Sequence, residues 1–192
     1  ESLTDSLCGF NVAGPKSREL LQHLTNTSLA TGDFPFMRSK RIELAGVQCV
    51  ALRVSFTGDL GWELHCKTED QLRLYEALLD CAKDFDAGPV GARALMSLRV
   101  EKGYGSWSRE YSPEYWPQEV GLAGLIKLDK DFLHKEAYLA IKDNAPRENI
   151  CIVEILSSDN ADATGGEPIF DKSGTGVGRV TSGTYGYGVN KS

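Results

Sequence analysis

The sequence predicts an α+β protein in which an antiparallel sheet with packed helices is followed by a small all-β, barrel-like domain. Two observations favour this class. Residues 1–146 mix β-forming runs with amphipathic helical runs, whereas residues 147–192 contain only short β-forming runs separated by turns rich in Ser, Asp and Gly. The 192 residues are 41% hydrophobic and 25% charged, which is ordinary for a globular chain. We therefore predict a domain boundary near Pro146.

The first element is a short apolar strand over residues 8–12, followed by a helix. Pro15 suits the first turn of that helix, and the leucines that follow form an apolar stripe. Residues 36–44 and 47–56 are rich in β-formers and are separated by Ala45-Gly46, a spacing typical of a hairpin. Residues 62–66 then supply a third strand, so we predict three consecutive antiparallel strands.

Helices alternate with a long loop in the middle of the chain. Thr68 and Gln71 have the spacing of a capping box, and apolar residues recur at helical spacing behind them. A second helix is predicted over residues 92–102, where Gly103 ends it, and a short one over residues 135–142. Residues 103–121 are predicted to form a long loop, rich in aromatic residues and interrupted by prolines, and long ordered loops in compact domains are often functional.

The last part of the chain is predicted to be all β. Its β-like runs are residues 150–156, 167–170, 176–182 and 185–189. Several short strands joined by turns are typical of a small antiparallel sheet or barrel. The glycines at positions 174, 176 and 178 do not have the spacing of a dinucleotide-binding loop and lead into a strand, so we interpret them as hairpin glycines.

Charge and ligand-type residues exclude several classes of function. The net charge of −6 disfavours a nucleic-acid partner, and the three histidines have no metal-ligand spacing. Five cysteines without a C-x-x-C pair indicate neither a disulfide framework nor a zinc finger. This pattern favours a protein that resides in a reducing compartment. The chain begins without an initiator Met and ends directly after a strand-like run, so we interpret it as a piece of a longer protein. We expect no membrane partner.

One carboxylate stands out among the candidate functional residues. Glu63 lies in the middle of a predicted strand between Trp62 and Leu64, where a carboxylate needs either solvent or a hydrogen-bonding partner. By alternation, Glu63 and His65 share one face of the strand. The same pattern fits an ordinary exposed polar face equally well.

Two arginines and a group of aromatic residues also need an account. Arg93 and Arg99 are six positions apart on one helix, so they point about 120° apart around its axis and at most one of them faces a given pocket. An ordinary salt bridge is the simpler explanation for each. The loop aromatics have no helical or strand period, so they form either a flat apolar ligand face or a lid folded over a core; they are Tyr104, Trp107, Tyr111, Tyr115 and Trp116.

Four motifs together resemble the glycine-cleavage T-protein (aminomethyltransferase) family. In order, they are VAGPKSRELL at residues 12–21, SFTGDLGWEL at 55–64, GAR at 91–93 with SLRVEKG at 97–103, and VTSGT at 180–184. Each motif alone is weak, but all four occur in the family's order. Within the family, residues 34–36, 61–65 and 101–104 are most similar to the carboxyl-terminal folate-binding region of dimethylglycine and sarcosine dehydrogenases.

The resemblance implies the cofactor and the residues that hold it. It implies tetrahydrofolate binding and capture of a one-carbon unit as 5,10-methylenetetrahydrofolate. Glu63 matches the family's pterin-binding carboxylate, Arg93 matches an arginine of the folate or substrate site, and Trp107 falls where the family often has a Tyr. Phe56 occupies the place of a Tyr in many relatives, so a hydroxyl hydrogen bond is lost there while ring packing is kept. No residue of this chain matches the family's catalytic Asp, which lies upstream, and another ligand-contacting Arg lies beyond Ser192.

The resemblance also implies the setting of the chain. Residues 1–146 correspond to the C-terminal part of a folate-binding domain and residues 147–192 to an incomplete C-terminal barrel. FAD is expected only in a full-length enzyme with an upstream flavin domain, with folate and a small methylated amine or amino acid as the other partners. The alternatives are a glycine-cleavage T-protein, another folate-dependent demethylase, or a non-catalytic folate-binding protein. We expect a bacterial cytoplasmic location or, alternatively, the mitochondrial matrix.

Overall fold

The computed structural model of the chain describes residues 2–156 and 162–192. They form two compact units, residues 1–95 (unit 1) and residues 96–192 (unit 2). The division falls inside one helix, Ala92–Glu101, and does not coincide with Pro146. The predicted boundary at that proline therefore stays a prediction about domain organisation.

Unit 1 is built on a four-stranded antiparallel sheet. Its strands are β1 (Leu7–Ala13), β2 (Ser39–Leu44), β3 (Val47–Leu52) and β4 (Gly61–Lys67), in the order β1-β4-β3-β2. The three consecutive strands predicted from the sequence are confirmed as β2, β3 and β4, although β2 begins later and β3 ends earlier than predicted. Pairing of β1 with β4 was not predicted, because a contact between strands some fifty residues apart leaves no local pattern.

The turn between β2 and β3 explains why this hairpin forms where it does. Ala45 has φ 49° and Gly46 has φ 78°. Positive φ at both central residues is typical of the type I′ turn, whose twist matches that of the flanking strands. Glycine adopts such a φ without strain, whereas Ala45 does so at a steric cost.

Two helices cover one face of the sheet and close the core. They are α1 (Ser17–Gln22) and α2 (Gln71–Ala82), which contribute Leu20, Leu21, Leu74, Leu78 and Ala82 to the core. The strands contribute, among others, Leu44, Val47, Ala51, Trp62 and Leu64, each 0% exposed. Burial of so many aliphatic side chains is the main source of stability of this unit.

The capping box predicted at the start of α2 is wrong. A 3₁₀ turn over Thr68–Asp70 precedes the helix, and its side chains provide no cap. Instead, the Thr68 Oγ1 hydroxyl donates to the carbonyl oxygen of Asp5 at 3.2 Å. The hydroxyl therefore ties the start of the helix to the segment before β1.

The helices and the long loop predicted after residue 91 are confirmed. Helix α3 spans Ala92–Glu101, and Gly103, at φ 74°, follows its end. Residues 103–121 form turns with no helix or strand, and a short helix, α4, spans Lys135–Ile141. No helix in the described parts of the chain is long and apolar enough to cross a bilayer.

The strands among the described residues after Pro146 form a two-stranded hairpin, and the small all-β, barrel-like domain stays a prediction. The strands of the hairpin are β5 (Pro168–Phe170) and β6 (Gly176–Arg179). The strands predicted over residues 150–156 and 185–189 are wrong, because a β-forming sequence becomes a strand only where a second strand pairs with it. Instead, the backbone amide of Ile150 donates to the carbonyl oxygen of Glu119, and that of Ile155 donates to the carbonyl oxygen of Ser192, each at 2.8 Å. Neither bond is part of a strand ladder.

Candidate functional site

Glu63 lies on β4 with its side chain on the face of the sheet opposite the core. Trp62 and Leu64, its neighbours in sequence, are fully buried, whereas the Glu63 side chain is 40% exposed. His65 lies on the same face, and its Nε2 is 3.7 Å from a Glu63 carboxylate oxygen. The predicted division of β4 into an apolar and a polar face is therefore confirmed.

The strands on either side of β4 fix the surroundings of this carboxylate. In the sheet register, Asn11 of β1 and Leu52 of β3 lie directly opposite Glu63. Side chains directly opposite one another in antiparallel strands point to the same face, with Cβ atoms about 5 Å apart. We call the face defined by Gly9, Asn11, Leu52, Glu63 and His65 the open face.

Gly9 makes room on the open face for the His65 ring. The two residues are opposite each other in the register of β1 and β4. A Cβ atom at position 9 would lie 3.3 Å from Nδ1 of that imidazole, closer than ordinary van der Waals contact. A glycine at this position therefore lets the ring lie against the neighbouring strand.

The opposite face of β4 is held by a cluster around Trp62 that the sequence did not reveal. The Cζ atoms of Arg18 and Arg53 each lie 5.9 Å from the centre of the Trp62 ring, and Phe34 meets that ring edge to face. Arg53 also donates through Nη1 to the Phe34 carbonyl at 2.8 Å. These contacts fix the indole, and through it the segment of β4 that carries Glu63.

The two guanidinium groups of this cluster lie close enough to affect each other. Burial, and secondarily the charge of Arg18, lower the pKa of Arg53 from its ordinary value. Among the described residues, neither arginine forms a salt bridge, and the buried Nε of each has no hydrogen-bond partner. A depression of about 410 Å³ against α1 is lined by Arg18 and does not include Glu63.

Phe56 and Arg93 belong to the same unit as Glu63. Phe56 is half-buried in the bend that leads into β4, and Arg93 is exposed in the first turn of α3. The Arg93 guanidinium makes no ion pair or hydrogen bond with any described residue. Phe56 and Arg93 were both predicted to bind the cofactor together with Glu63. Neither forms a hydrogen bond or an ion pair with Glu63 in the structure.

Trp107 is a residue of unit 2, on the turn-rich loop after α3. Its side chain is 83% exposed, and its backbone forms an isolated bridge with Tyr111. The Ser108 hydroxyl, on a residue with φ 61°, donates to the Trp107 carbonyl at 2.6 Å. The indole is therefore presented to solvent by a backbone turn rather than buried under the loop.

The same loop is held by a buried ion-pair network. Arg99 is 2% exposed and Glu110 is 4% exposed, and their closest side-chain atoms are 3.2 Å apart. Arg99 also donates to the Ser182 hydroxyl at 2.6 Å, which in turn donates to Glu110 at 2.6 Å. The salt bridge considered for Arg99 in the sequence is confirmed, but its partners, 11 and 83 positions away, could not be found from spacing.

The ionised state of Glu110 depends on these hydrogen bonds. Burial alone would raise the pKa of this carboxyl, but donation from the Ser182 hydroxyl and the Ser106 amide outweighs burial and lowers the pKa. Glu110 is therefore a stabilised anion matched to Arg99, which is the chemistry of a structural network. No cluster of His, Cys, Asp and Glu in residues 2–156 or 162–192 has the geometry of a metal site.

Comparison with known proteins connects these features to a family. Residues 1–130 match the family described as the GCVT N-terminal domain. Mitochondrial dimethylglycine dehydrogenase of Homo sapiens is 36% identical over 195 residues, covering 100% of this chain and 22% of that protein. An aminomethyltransferase of Caldanaerobacter subterraneus is 31% identical over 159 residues, covering 82% of this chain and 42% of that protein.

The fold has a counterpart among solved structures. The glycine cleavage system aminomethyltransferase T from Bartonella henselae aligns with a TM-score of 0.79 and 22% identity, covering 96% of this chain and 49% of that one. At this identity the likeness shows the fold alone. The chain spans less than half the length of each of these relatives.

Proposed function

Since the chain belongs to the GCVT N-terminal domain family and is homologous to aminomethyltransferases and to dimethylglycine and sarcosine dehydrogenases, we propose that it forms one wall of a tetrahydrofolate site. In the full-length protein, the site captures the one-carbon unit released by oxidative N-demethylation as 5,10-methylenetetrahydrofolate. The observation that carries the proposal is Glu63, a half-exposed carboxylate on an interior strand.

The geometry of Glu63 suits recognition of a pterin. A pterin presents a ring N–H beside an amino group, and one carboxylate accepts both as a charge-assisted pair. The pairing of β4 on both sides holds the Glu63 backbone, so the face on which the carboxylate lies is set before a ligand arrives. On the face of this carboxylate, His65 lies against Gly9 and Ser55 lies against Gly61, so the two glycines set how its neighbours pack.

The other proposed contacts have different chemistry. The planar Arg93 guanidinium is solvent-exposed and suited to donate to a carbonyl or, through two parallel hydrogen bonds that a lysine cannot imitate, to a carboxylate. Phe56 contributes ring packing without a hydroxyl, and Trp107 contributes an exposed indole for an aromatic part of the cofactor. Tetrahydrofolate supplies, when bound, the two nitrogen atoms between which the one-carbon unit is carried.

The catalytic acid–base group and the flavin are placed outside this chain. We propose that the family's catalytic Asp lies upstream of this chain and that FAD binds only in an upstream domain of the full-length enzyme. Residues 147–192 are proposed to belong to a barrel-like domain that further parts of the polypeptide complete. Without those parts, the chain alone is expected to be inactive.

A glycine-cleavage aminomethyltransferase is the second candidate function. Its support is the match to the Caldanaerobacter protein over most of the chain. The two candidates share the folate site and differ in the source of the one-carbon unit. A flavin-binding domain encoded upstream of this chain favours the dehydrogenase, and its absence from the gene favours the aminomethyltransferase.

Calorimetric titration of the full-length protein with tetrahydrofolate tests the site. Glu63→Gln is expected to weaken binding about 10- to 100-fold, because a charge-assisted pair of hydrogen bonds is replaced by a neutral one that accepts less well. Arg93→Ala is expected to weaken binding about tenfold. Unchanged affinity in both variants would show that the site lies elsewhere.

Two residues of β2, the edge strand of the same sheet, provide matched controls. Glu43→Gln removes an exposed carboxylate that accepts from Gln48 at 2.8 Å, and Arg41→Ala removes an exposed guanidinium. Both should leave the affinity for tetrahydrofolate unchanged. A loss in the controls equal to that in Glu63→Gln would indicate a general effect of surface charge.

A further inference from the structure

Asn11 lies on the open face directly beside the proposed pterin-binding carboxylate. The register pairs Asn11 of β1 with Glu63 of β4, so the two side chains point to the same side with Cβ atoms about 5 Å apart. Asn11 is exposed. Within the described parts of the chain, its amide forms no side-chain hydrogen bond. An uncommitted amide therefore borders the carboxylate.

The other neighbours of Glu63 on this face offer different chemistry. Leu52, opposite on β3, is apolar, and Gly61, two residues before Glu63, has no side chain. His65 has its imidazole 3.7 Å from the carboxylate and lies against Gly9. Of the two residues directly opposite Glu63, Asn11 is thus the one that presents both a hydrogen-bond donor and an acceptor.

A pterin held by Glu63 needs a further hydrogen-bond donor beside the carboxylate. Its recognition edge carries the amino group and the ring N–H, and next to these a carbonyl at position 4. When the carboxylate accepts the two donors, the carbonyl lies beside the carboxylate and requires a donor of its own. A carbonyl desolvated without a partner weakens binding, so a neighbouring N–H contributes to recognition.

We propose that Asn11 is a specificity-determining residue, which donates its side-chain N–H to the 4-oxo group of the pterin held by Glu63. This inference rests on the proposed tetrahydrofolate site. It assigns to β1 a role in ligand recognition besides that of pairing with β4. Because an amide can also turn over and accept, Asn11 tolerates an amino group at position 4, whereas a carboxylate there would accept only.

The test compares tetrahydrofolate with its 4-amino-4-deoxy analogue, which carries an amino group at position 4 and no hydrogen on the adjacent ring nitrogen. Loss of that N–H weakens the pairing with Glu63 in the unaltered protein and in the Asn11 variants alike, so the effect of Asn11 is taken from the change in the ratio of the two affinities. Both are titrated into the full-length protein and into Asn11→Ala and Asn11→Asp. Asn11→Ala should weaken binding of tetrahydrofolate about 3- to 10-fold. Asn11→Asp should shift the ratio of the two affinities at least about tenfold toward the 4-amino ligand, because its carboxylate repels a carbonyl and accepts from an amino group.

The ratio separates recognition from a structural effect. A variant that only disturbs β1, or only repels the Glu63 charge, weakens both ligands alike and leaves the ratio unchanged, which would overturn the inference. Gln48→Ala and Gln48→Glu are the matched controls, since Gln48 is exposed on the same side of β3 but lies two rows away from Glu63. They should change neither affinity.

The same titrations separate the two proposals. If Glu63→Gln weakens tetrahydrofolate binding while Asn11→Asp leaves the ratio unchanged, the site stands and the role of Asn11 is overturned. If Glu63→Gln binds like the unaltered protein, both the site and the role of Asn11 are overturned. A shifted ratio in Asn11→Asp together with weakened binding in Glu63→Gln supports both.

Discussion

Unit 1 and unit 2 are similar in length but bury different kinds of side chain. Unit 1 buries a continuous apolar cluster drawn from four strands and two helices. In the described part of unit 2, Val120 is the only buried apolar side chain, whereas Ser97, Arg99, Glu110 and Glu119 are buried polar ones. Apolar burial is non-directional, but a buried ion pair stabilises only while all of its partners are in place.

This difference has a consequence for how each unit responds to substitution. A truncated apolar side chain leaves a cavity whose cost depends on how far the surroundings relax. A truncated partner in an ion-pair network leaves an uncompensated charge, which cannot relax away.

The largest effect is expected from breaking the buried pair of unit 2. Arg99→Met should lower the free energy of unfolding by about 3–5 kcal/mol, because the Glu110 carboxylate then remains buried without its cation. Urea unfolding followed by circular dichroism gives the change, and hydrogen exchange should place it in unit 2.

Two variants check the cause of that loss. Adding Glu110→Gln to Arg99→Met should restore part of the stability, since the neutral amide still accepts from the Ser106 amide while the buried charge is gone. Arg41→Met, at an exposed position on β2, should change stability by no more than about 0.5 kcal/mol. A double variant as unstable as the single one would contradict an electrostatic origin.

A cavity in the apolar core of unit 1 should cost somewhat less. Leu64 is 0% exposed on β4, and Leu64→Ala should lower the free energy of unfolding by about 2–4 kcal/mol. Hydrogen exchange should locate this loss in the sheet rather than in unit 2. Leu72→Ala, on the 66% exposed side of α2, is the control and should have little effect. Equal losses in the two variants would contradict the packing of the core.

The smallest effect is a dependence of unit 2 on acid. The Arg147 guanidinium, helped by the Trp116 and Arg147 amides, holds the pKa of Glu119 at about 2, below the ordinary value of a glutamate. A lowered pKa gives stability that is present above the ordinary value and is lost as the pH falls toward about 2. Glu119→Gln should therefore flatten the fall in stability between about pH 5 and pH 2.

The control for this prediction is another glutamate of the same unit. Glu136 lies on the exposed side of α4, so Glu136→Gln should keep the acid dependence of the unaltered chain. Thermal unfolding at several pH values in that range gives the comparison. If Glu119→Gln keeps the full dependence as well, another carboxylate is responsible.

The same contrast explains what the sequence could and could not predict. The strands and helices of unit 1 follow from period-2 and helical patterns, which local sequence carries, and the face of β4 that holds Glu63 follows from alternation. The partners of Arg99 lie at positions 110 and 182, and no periodicity marks them. Residues 150–156 have a strand-like composition but lack a pairing strand in the described structure, so composition alone gave a wrong result there.

The candidate site was predictable only in part. The resemblance to the family selected Glu63, and alternation gave its face. The position of Asn11 beside it depends on the pairing of β1 with β4, a long-range contact that the local pattern does not encode. The cluster of Arg18 and Arg53 around Trp62 is of the same kind, because its members come from a helix, a strand end and an interior strand.

The interior place of β4 in the sheet has an evolutionary consequence. Glu63 is aimed by main-chain pairing to β1 and β3, and main-chain pairing is largely indifferent to which side chains the neighbours carry. Descendants of this chain can therefore exchange Asn11, Leu52 or His65 while the backbone of Glu63 keeps its place in the sheet. On the proposed function, ligand selectivity can in this way change while the pterin-binding carboxylate is retained.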